Sequence, residues 1–260
     1  MRNVSYRLSP IQEGMLFHHI QNPHTGVDIE QLVCSLPEAV DVDCLRSACQ
    51  KLVDRHAVLR TSLSWEKLDR PMQSVLPQVG VPFVVIDLTD RAPEARRERV
   101  EGFYEEDRIS GIRLDEAPLC RFTLFKLGAS DYKLIFTFHH VAMDGRSFPS
   151  VLNELFAAYD AQREGKSVDL PQPRPYSDYI NWLETVDLGK AERFWREYLN
   201  GFVLANQVPA LDPFKTNAAG HGAEEIVLSL ETTEALRKFA AREGVTLNTV
   251  VQGAWALMVS

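Results

Sequence analysis

Several common functions need features that this sequence lacks. Its four cysteines, Cys34, Cys44, Cys49 and Cys120, form no CxxC pair, so neither a zinc ribbon nor a disulfide-stapled scaffold is encoded, and buried thiols in a reducing compartment are expected. No GxGxxG, P-loop or GxSxG pattern occurs, which removes support for dinucleotide binding, P-loop phosphate chemistry and a serine-hydrolase elbow. No apolar run approaches the eighteen residues of a membrane span. The first thirty residues interrupt their apolar stretch with Gln12, Glu13, His18 and His19, which does not suit a secretory leader. Positive charge is also short, with 28 Lys and Arg against 36 Asp and Glu for a net charge of −8. A phosphate backbone or an anionic membrane is therefore a poor partner. A soluble, cytoplasmic protein that binds neither nucleic acid nor membrane is expected. There is no internal repeat and no low-complexity tract.

What is present is an ordinary globular chain of 260 residues, 45% hydrophobic and 25% charged, long enough for a sizeable core. The opening SPIQEGMLFHHIQN predicts a helix with Ser9 as N-cap, Pro10 at its first position and Gln12 completing a capping box. DVDCLRSACQKLVDRH predicts a second, capped by Asp43, with Leu45, Ala48, Cys49, Leu52, Val53 and His56 on its buried stripe. AVLRTSLSW and PFVVIDL read as strands, and PEARRERVEGFYEED as an exposed helix whose charges balance into a solvated face. CRFTLFKL and YKLIFTFHH, joined by GASD, read as a hairpin. A helix begins at Pro149 with Val151, Leu152, Leu155, Phe156 and Tyr159 on one side and ends near Gly165. The proline-rich SVDLPQPRPY reads as a linker, followed by amphipathic helices in YSDYINWLE and AERFWREYL. After a Pro-, Ala- and Gly-rich loop, EEIVLSL reads as a strand, and TTEALRKFAAREG and TLNTVVQGAWALMVS as helices. Strands and helices without strict βαβ alternation indicate an α/β or α+β sandwich rather than a Rossmann sheet.

The stretch FHHVAMDG, residues 138 to 145, concentrates the chemistry. Side chains alternate along a strand, so His140 continues the row of Leu134, Phe136 and Phe138, while His139 follows Lys133, Ile135 and Thr137. Rings pointing opposite ways do not share a metal ion, and no third ligand stands nearby at metal spacing, so no metal is expected. His140 is the candidate for moving a proton or holding a nucleophile near neutral pH, as acyl transfer to an amine or alcohol requires. Asp144 suits pairing with an arginine to fix the turn, and Gly145 a close approach that a Cβ would block. His18 and His19 are helix-face residues, about 100° apart. Trp182 and Trp195 are expected to pack into the core.

HHxxxDG does not stand alone. LSPIQEGMLFHHI at 8 to 20, RHAVLRTSL at 55 to 63 and YSDYINW at 176 to 182 accompany it in order, and together they resemble the first four core motifs of the condensation domains of nonribosomal peptide synthetases. The resemblance implies a chloramphenicol-acetyltransferase-like fold of two lobes with a tunnel between them. Residues 1–175 would form a complete N-terminal lobe, and 176–260 linker helices and the incomplete start of a second, similar lobe. It implies secondary-metabolite biosynthesis: joining an acyl or peptidyl thioester on one carrier protein to an amine on the next. The donor and acceptor carriers and the adjacent synthetase domains would be the partners. No cofactor would be bound directly, the substrates riding on phosphopantetheine arms. His140 matches the tunnel-facing catalytic histidine and Gly145 the glycine lining the site. His139 matches a supporting histidine, Asp144 the salt-bridging aspartate and Arg60 an arginine that organises the lobe.

Two positions depart from the family pattern: Arg146 stands where many members have Trp, and Ala57 where the second motif commonly has Glu. The family's later motif and most of its second lobe are absent from these 260 residues, so the chain alone is expected to be inactive, and to self-associate through its exposed C-terminal helices. The competing readings are a non-catalytic module that docks a carrier protein or tailoring enzyme, and an acyltransferase that uses coenzyme A.

Overall fold

The structure, a computed structural model, describes residues 4–22, 25–203 and 225–259. Two compact units divide between Val186 and Asp187. The first takes in the helix of YSDYINW, beyond the boundary expected at residue 175.

In the first unit, β1 (Val4–Arg7), β2 (Ile29–Leu36), β3 (Thr61–Ser64), β4 (Met72–Val75), β5 (Phe83–Asp87), β6 (Cys120–Lys126) and β7 (Tyr132–His139) form two sheets. The smaller has the order β1-β4-β3, antiparallel throughout, and the larger the order β2-β7-β6-β5. β6 and β7 are the expected hairpin, with Phe122 opposite Phe136 and Leu124 opposite Leu134. β5 runs parallel to β6, a pairing that needs a crossover, and α3 (Pro93–Ser110) supplies it.

Alternation along β6 and β7 gives the larger sheet one apolar face and one on which Phe125 and Ile135 mix with polar residues. Phe122, Leu124, Leu134, Phe136 and Phe138 pack with Leu45, Ala48, Cys49, Leu52 and Val53 of α2 (Val42–Arg55), and with Val151, Leu155, Ala158 and Tyr159 of α4 (Phe148–Arg163). The rings of Phe122 and Phe136 stack with centroids 4.4 Å apart. On the opposite face, Phe125 and Ile135 meet Val100, Phe103 and Tyr104 of α3. Helices thus cover both faces, which explains why β7 is buried on both sides although Lys133, Thr137 and His139 alternate with its apolar row.

Beside that second cluster, α3 carries a buried carboxylate. Asp107, whose side chain is 5% exposed, accepts from Arg121 Nε at 2.6 Å, Thr137 Oγ1 at 2.6 Å and Gln31 Nε2 at 2.7 Å. The helix is solvated as expected through pairs such as Arg99–Glu106 and Arg108–Glu105, but Asp107 clamps it to β2, β6 and β7.

α1 (Pro10–Gln21) has the predicted capping box of Ser9 and Gln12. α2 is capped by Asp41, which accepts from Cys44 N, and not by Asp43. The competing aspartate two residues earlier has the extended backbone that a cap requires. Ala57–Arg60, read as strand, is a 3₁₀ helix that turns the chain from α2 into β3. β1, β2 and β4 were not legible: β1 and β4 are four-residue strands that exist by pairing with each other and with β3.

The second unit contains α6 (Leu188–Tyr198), α7 (Leu230–Arg242) and α8 (Leu247–Met258), capped by Asp187, Ser229 and Thr246. α7 and α8 pack against each other. EEIVLSL is not a strand: residues 225–229 have no regular structure and Leu230 already belongs to α7. A strand requires a neighbour for its N–H and C=O groups, and among the described residues these find none. The loop read before it, residues 204–224, lies outside the described residues. Trp182 and Trp195, expected in the core, are 57% and 54% exposed.

Asp107→Ala would leave the Arg121 guanidinium and the Thr137 hydroxyl without their acceptor in a largely buried site. The expected loss of stability is on the order of 3 kcal/mol, read as a lower urea midpoint with an unchanged slope. A variant that unfolds with its parent would show that the clamp contributes nothing.

Candidate active site

β7 delivers the HHVAMDG stretch to a cavity. The last ladder pair sets His139 opposite Ile29, and then the chain leaves the sheet. His140 therefore does not continue the strand row of Phe136 and Phe138; it sits in the turn, with its N–H bonded to Asp28 O at 2.8 Å. The next peptide is held from both ends, since Val141 N donates to His139 Nδ1 at 3.1 Å and Val141 O accepts from Gln12 Nε2 at 3.1 Å.

These bonds give the two rings different surroundings. His139 is fully buried and lies edge-on to His19, with ring centroids 5.3 Å apart. Its Nδ1 accepts from Val141, so the proton of the neutral ring is on Nε2. Burial, with repulsion from His19 and His140, pulls its pKa down to about 3, and it is neutral at pH 7. His140 is partly exposed and lines a cavity of about 880 Å³. Its Nδ1 is buried without a hydrogen-bond partner, which leaves Nε2 as the nitrogen that reaches the cavity.

The cavity is walled by the N-terminus of α1, the start of the 3₁₀ helix, the turn from His140 to Ser147, and residues 172–176 with Tyr179. It lies wholly within the first unit. Tyr176 at the start of α5 (Tyr176–Leu183) closes one side by donating to Ser9 Oγ at 3.2 Å. Two of the family's motif stretches, read separately in the sequence, meet in that bond.

The other expected site residues divide. Arg60 does not reach the cavity; it holds the carbonyls of Val53, Leu76 and Pro77, which suits an organising role. Asp144 differs from expectation: it is exposed and makes no ion pair among the described residues, its Oδ1 accepting instead from Ser147 N at 3.1 Å and Ser147 Oγ at 2.8 Å. These bonds from Ser147 hold its pKa below the usual carboxylate range. A short polar side chain at a turn finds its own backbone before a distant arginine. At Gly145, an added Cβ would meet only the Phe148 ring at 3.9 Å. Neither backbone strain nor crowding within the protein explains the glycine.

Sequence reading missed four participants. Gln12 was legible as a capping residue but not as the donor to Val141. His19 was read only as a helix-face residue and lies against His139. His56 was placed on the buried stripe, whereas it lines the cavity and its Nε2 meets Glu154 Oε2 at 2.7 Å. Glu154, far away in α4, gives no local signal at all. Burial works to raise its pKa, but the bonds from His56 and Arg55 outweigh that and lower it.

The neutral state of His139 makes stability depend on pH. The folded protein protonates it near pH 3, the unfolded chain near 6.5, so in that window the unfolded state binds more protons and stability falls as pH drops. The slope is at most about 1.4 kcal/mol per pH unit. His139→Asn, which keeps an acceptor for Val141 N, should lose less stability between pH 6.5 and pH 4 than the parent in urea titrations. Parallel pH dependences would sink this account.

Comparison with known proteins agrees with this architecture. The family model of the condensation domain matches residues 3–260. A linear gramicidin synthase protein of Brevibacillus parabrevis is 38% identical over 98% of this chain, which spans 3% of that protein. Surfactin synthase subunit 3 of Bacillus subtilis is 35% identical over 98% of the chain, here 20% of the relative. The first condensation domain of the calcium-dependent antibiotic synthetase, solved with a substrate analogue, superimposes with a TM-score of 0.76 at 18% identity, over 98% of this chain and 61% of that one. The chain spans only a small part of these large synthases, and its mixed α/β fold is that of the chloramphenicol-acetyltransferase-like condensation domains. It belongs to the condensation-domain family of the nonribosomal peptide synthetases.

Proposed function

We propose that this chain forms the His140-bearing part of a site that makes an amide from a carrier-bound acyl or peptidyl thioester and a carrier-bound amine. The amine nitrogen attacks the thioester carbonyl, the N–C bond forms, the C–S bond breaks, and the proton lost by nitrogen ends on sulfur. The phosphopantetheine arms of donor and acceptor carrier proteins bring both substrates, so the chain itself needs no bound cofactor. Its other partners are the neighbouring domains of a cytoplasmic synthetase.

The observation that carries this reading is the placement of His140: a ring on the wall of a large cavity, on a backbone fixed by Asp28 and Gln12. Such a ring suits orienting the amine, taking its proton, or donating to the oxyanion. Near pH 7 an α-amine with a pKa of about 8 is already partly neutral, so orientation contributes even where proton transfer is undemanding. Gly145 is not among the residues lining the cavity, so its place beside the thioester rests on the family resemblance and not on the geometry. Asp144 and Arg60 shape the turn and the lobe. His139 supports the turn from beneath, through its bond from Val141.

In a protein joining this chain to the remainder of a condensation domain, His140→Ala should lower product formation by about 10² or more. Turnover near wild type would remove His140 from the mechanism. Acyl-coenzyme A tested beside the carrier-bound donor separates this reading from a coenzyme A-dependent acyltransferase, and product from neither would favour a docking module.

The 260 residues alone should neither turn over such substrates nor remain strictly monomeric. Val251, Trp255 and Met258 of α8 are 58%, 57% and 77% exposed. At roughly 25 cal/mol per Å² of apolar surface, covering several such side chains is worth several kcal/mol. Light scattering should show association that grows with concentration. A monomer at all concentrations would count against it.

A further inference from the structure

Outside the HHVAMDG turn, the cavity wall holds a second imidazole with a carboxylate behind it. His56 ends α2, Glu154 lies in α4 98 residues away, and His56 Nε2 stands 2.7 Å from Glu154 Oε2. The same oxygen accepts Arg55 Nε at 2.8 Å. The arginine therefore already neutralises the carboxylate, and the additional bond fixes the orientation of a ring. The three side chains are only 17% to 21% exposed, so these bonds are less screened by water than surface pairs are.

With Nε2 donating to Glu154, the neutral ring carries its lone pair on Nδ1. That atom has no hydrogen-bond partner among the described residues, and it is not among the sealed polar atoms. His56 and His140 line the same cavity. One imidazole is thus oriented by a carboxylate, and the other by its backbone alone.

We propose that His56 is a positioning residue for the acceptor: its Nδ1 accepts an N–H from the incoming amine, with Glu154 holding the ring for that bond. The inference rests on the amide-forming reading above and adds to it a residue that orients the nucleophile. A plain clamp between α2 and α4 is the alternative, and the two roles use opposite nitrogens.

That difference gives the test. The probe is the amide analogue of a glycyl-N-acetylcysteamine thioester, which keeps the free amine and is not cleaved by thiol exchange. Its binding to the 260-residue chain is followed by amide chemical-shift titration, and the same spectra report whether each variant is folded. His56→Ala should weaken binding about tenfold, on the scale of one lost hydrogen bond to a charged or buried partner. His56→Asn places an oxygen acceptor near the position of Nδ1 and should retain most of the affinity. His56→Gln keeps a donor toward Glu154 without that acceptor and should bind as weakly as the alanine variant. Glu154→Gln should fall between. Unchanged affinity in His56→Ala, or rescue by Gln rather than Asn, would overturn the positioning role and leave the amide-forming reading standing. A parent chain that does not bind the probe would overturn the positioning role as well, while the amide-forming reading is decided separately by turnover in the joined protein.

Discussion

The side-chain amide of Gln12 connects parts of the first unit that the chain itself keeps far apart. Its Oε1 accepts from Ser9 N at 3.0 Å and from Gln73 Nε2 at 2.9 Å, and its Nε2 donates to Val141 O at 3.1 Å. Gln73 in turn donates to Arg7 O at 3.0 Å. One buried amide thus joins the start of α1, the small sheet and the HHVAMDG turn. A single such bond is worth about 1 kcal/mol net, but a buried amide with donor or acceptor unmet is costly, so the set is satisfied together or not at all. The direction of His140 depends on that set, because its own Nδ1 finds no partner.

The same economy of partners separates the two adjacent histidines. Burial removes charge from His139 and makes it a neutral hydrogen-bond acceptor for the turn. One residue later the chain has left the sheet, and His140 reaches a cavity instead of a core. Adjacent residues of one type thereby acquire different chemistry from their surroundings, by desolvation in one case and by access in the other. The cavity wall brings together α1, the end of α2, the HHVAMDG turn and the segment before α5, which is why the motifs of the family lie scattered along the chain.

Legibility in the sequence followed the range of the interactions. The cap of α1, the β6–β7 hairpin and the stripe of α2 are set by residues within one or two turns of each other, and each was visible. The short β1 and β4 were not, because four residues carry too little pattern without their partners. EEIVLSL illustrates the reverse: strand propensity remains a preference until a neighbouring strand meets its backbone. At the site, strand alternation placed His139 on β7 but misplaced His140, which has left the strand and sits in the turn. The partner of Asp144 was not legible, since a local serine competes with any distant arginine, and only the folded geometry decides between them.

By itself the sequence determined the family, through four motifs in order, and the positions of most helices and of the central hairpin, because apolar periodicity and capping are local chemistry. It also placed the two histidines at the end of an apolar strand. Only the tertiary structure decided that His140 has turned out of the strand row, that Gln12 holds the peptide after it, and that Glu154 stands behind His56. Those contacts join residues 98 to 129 positions apart. Nothing in the local physics of either partner specifies the other until the sheets and helices have packed.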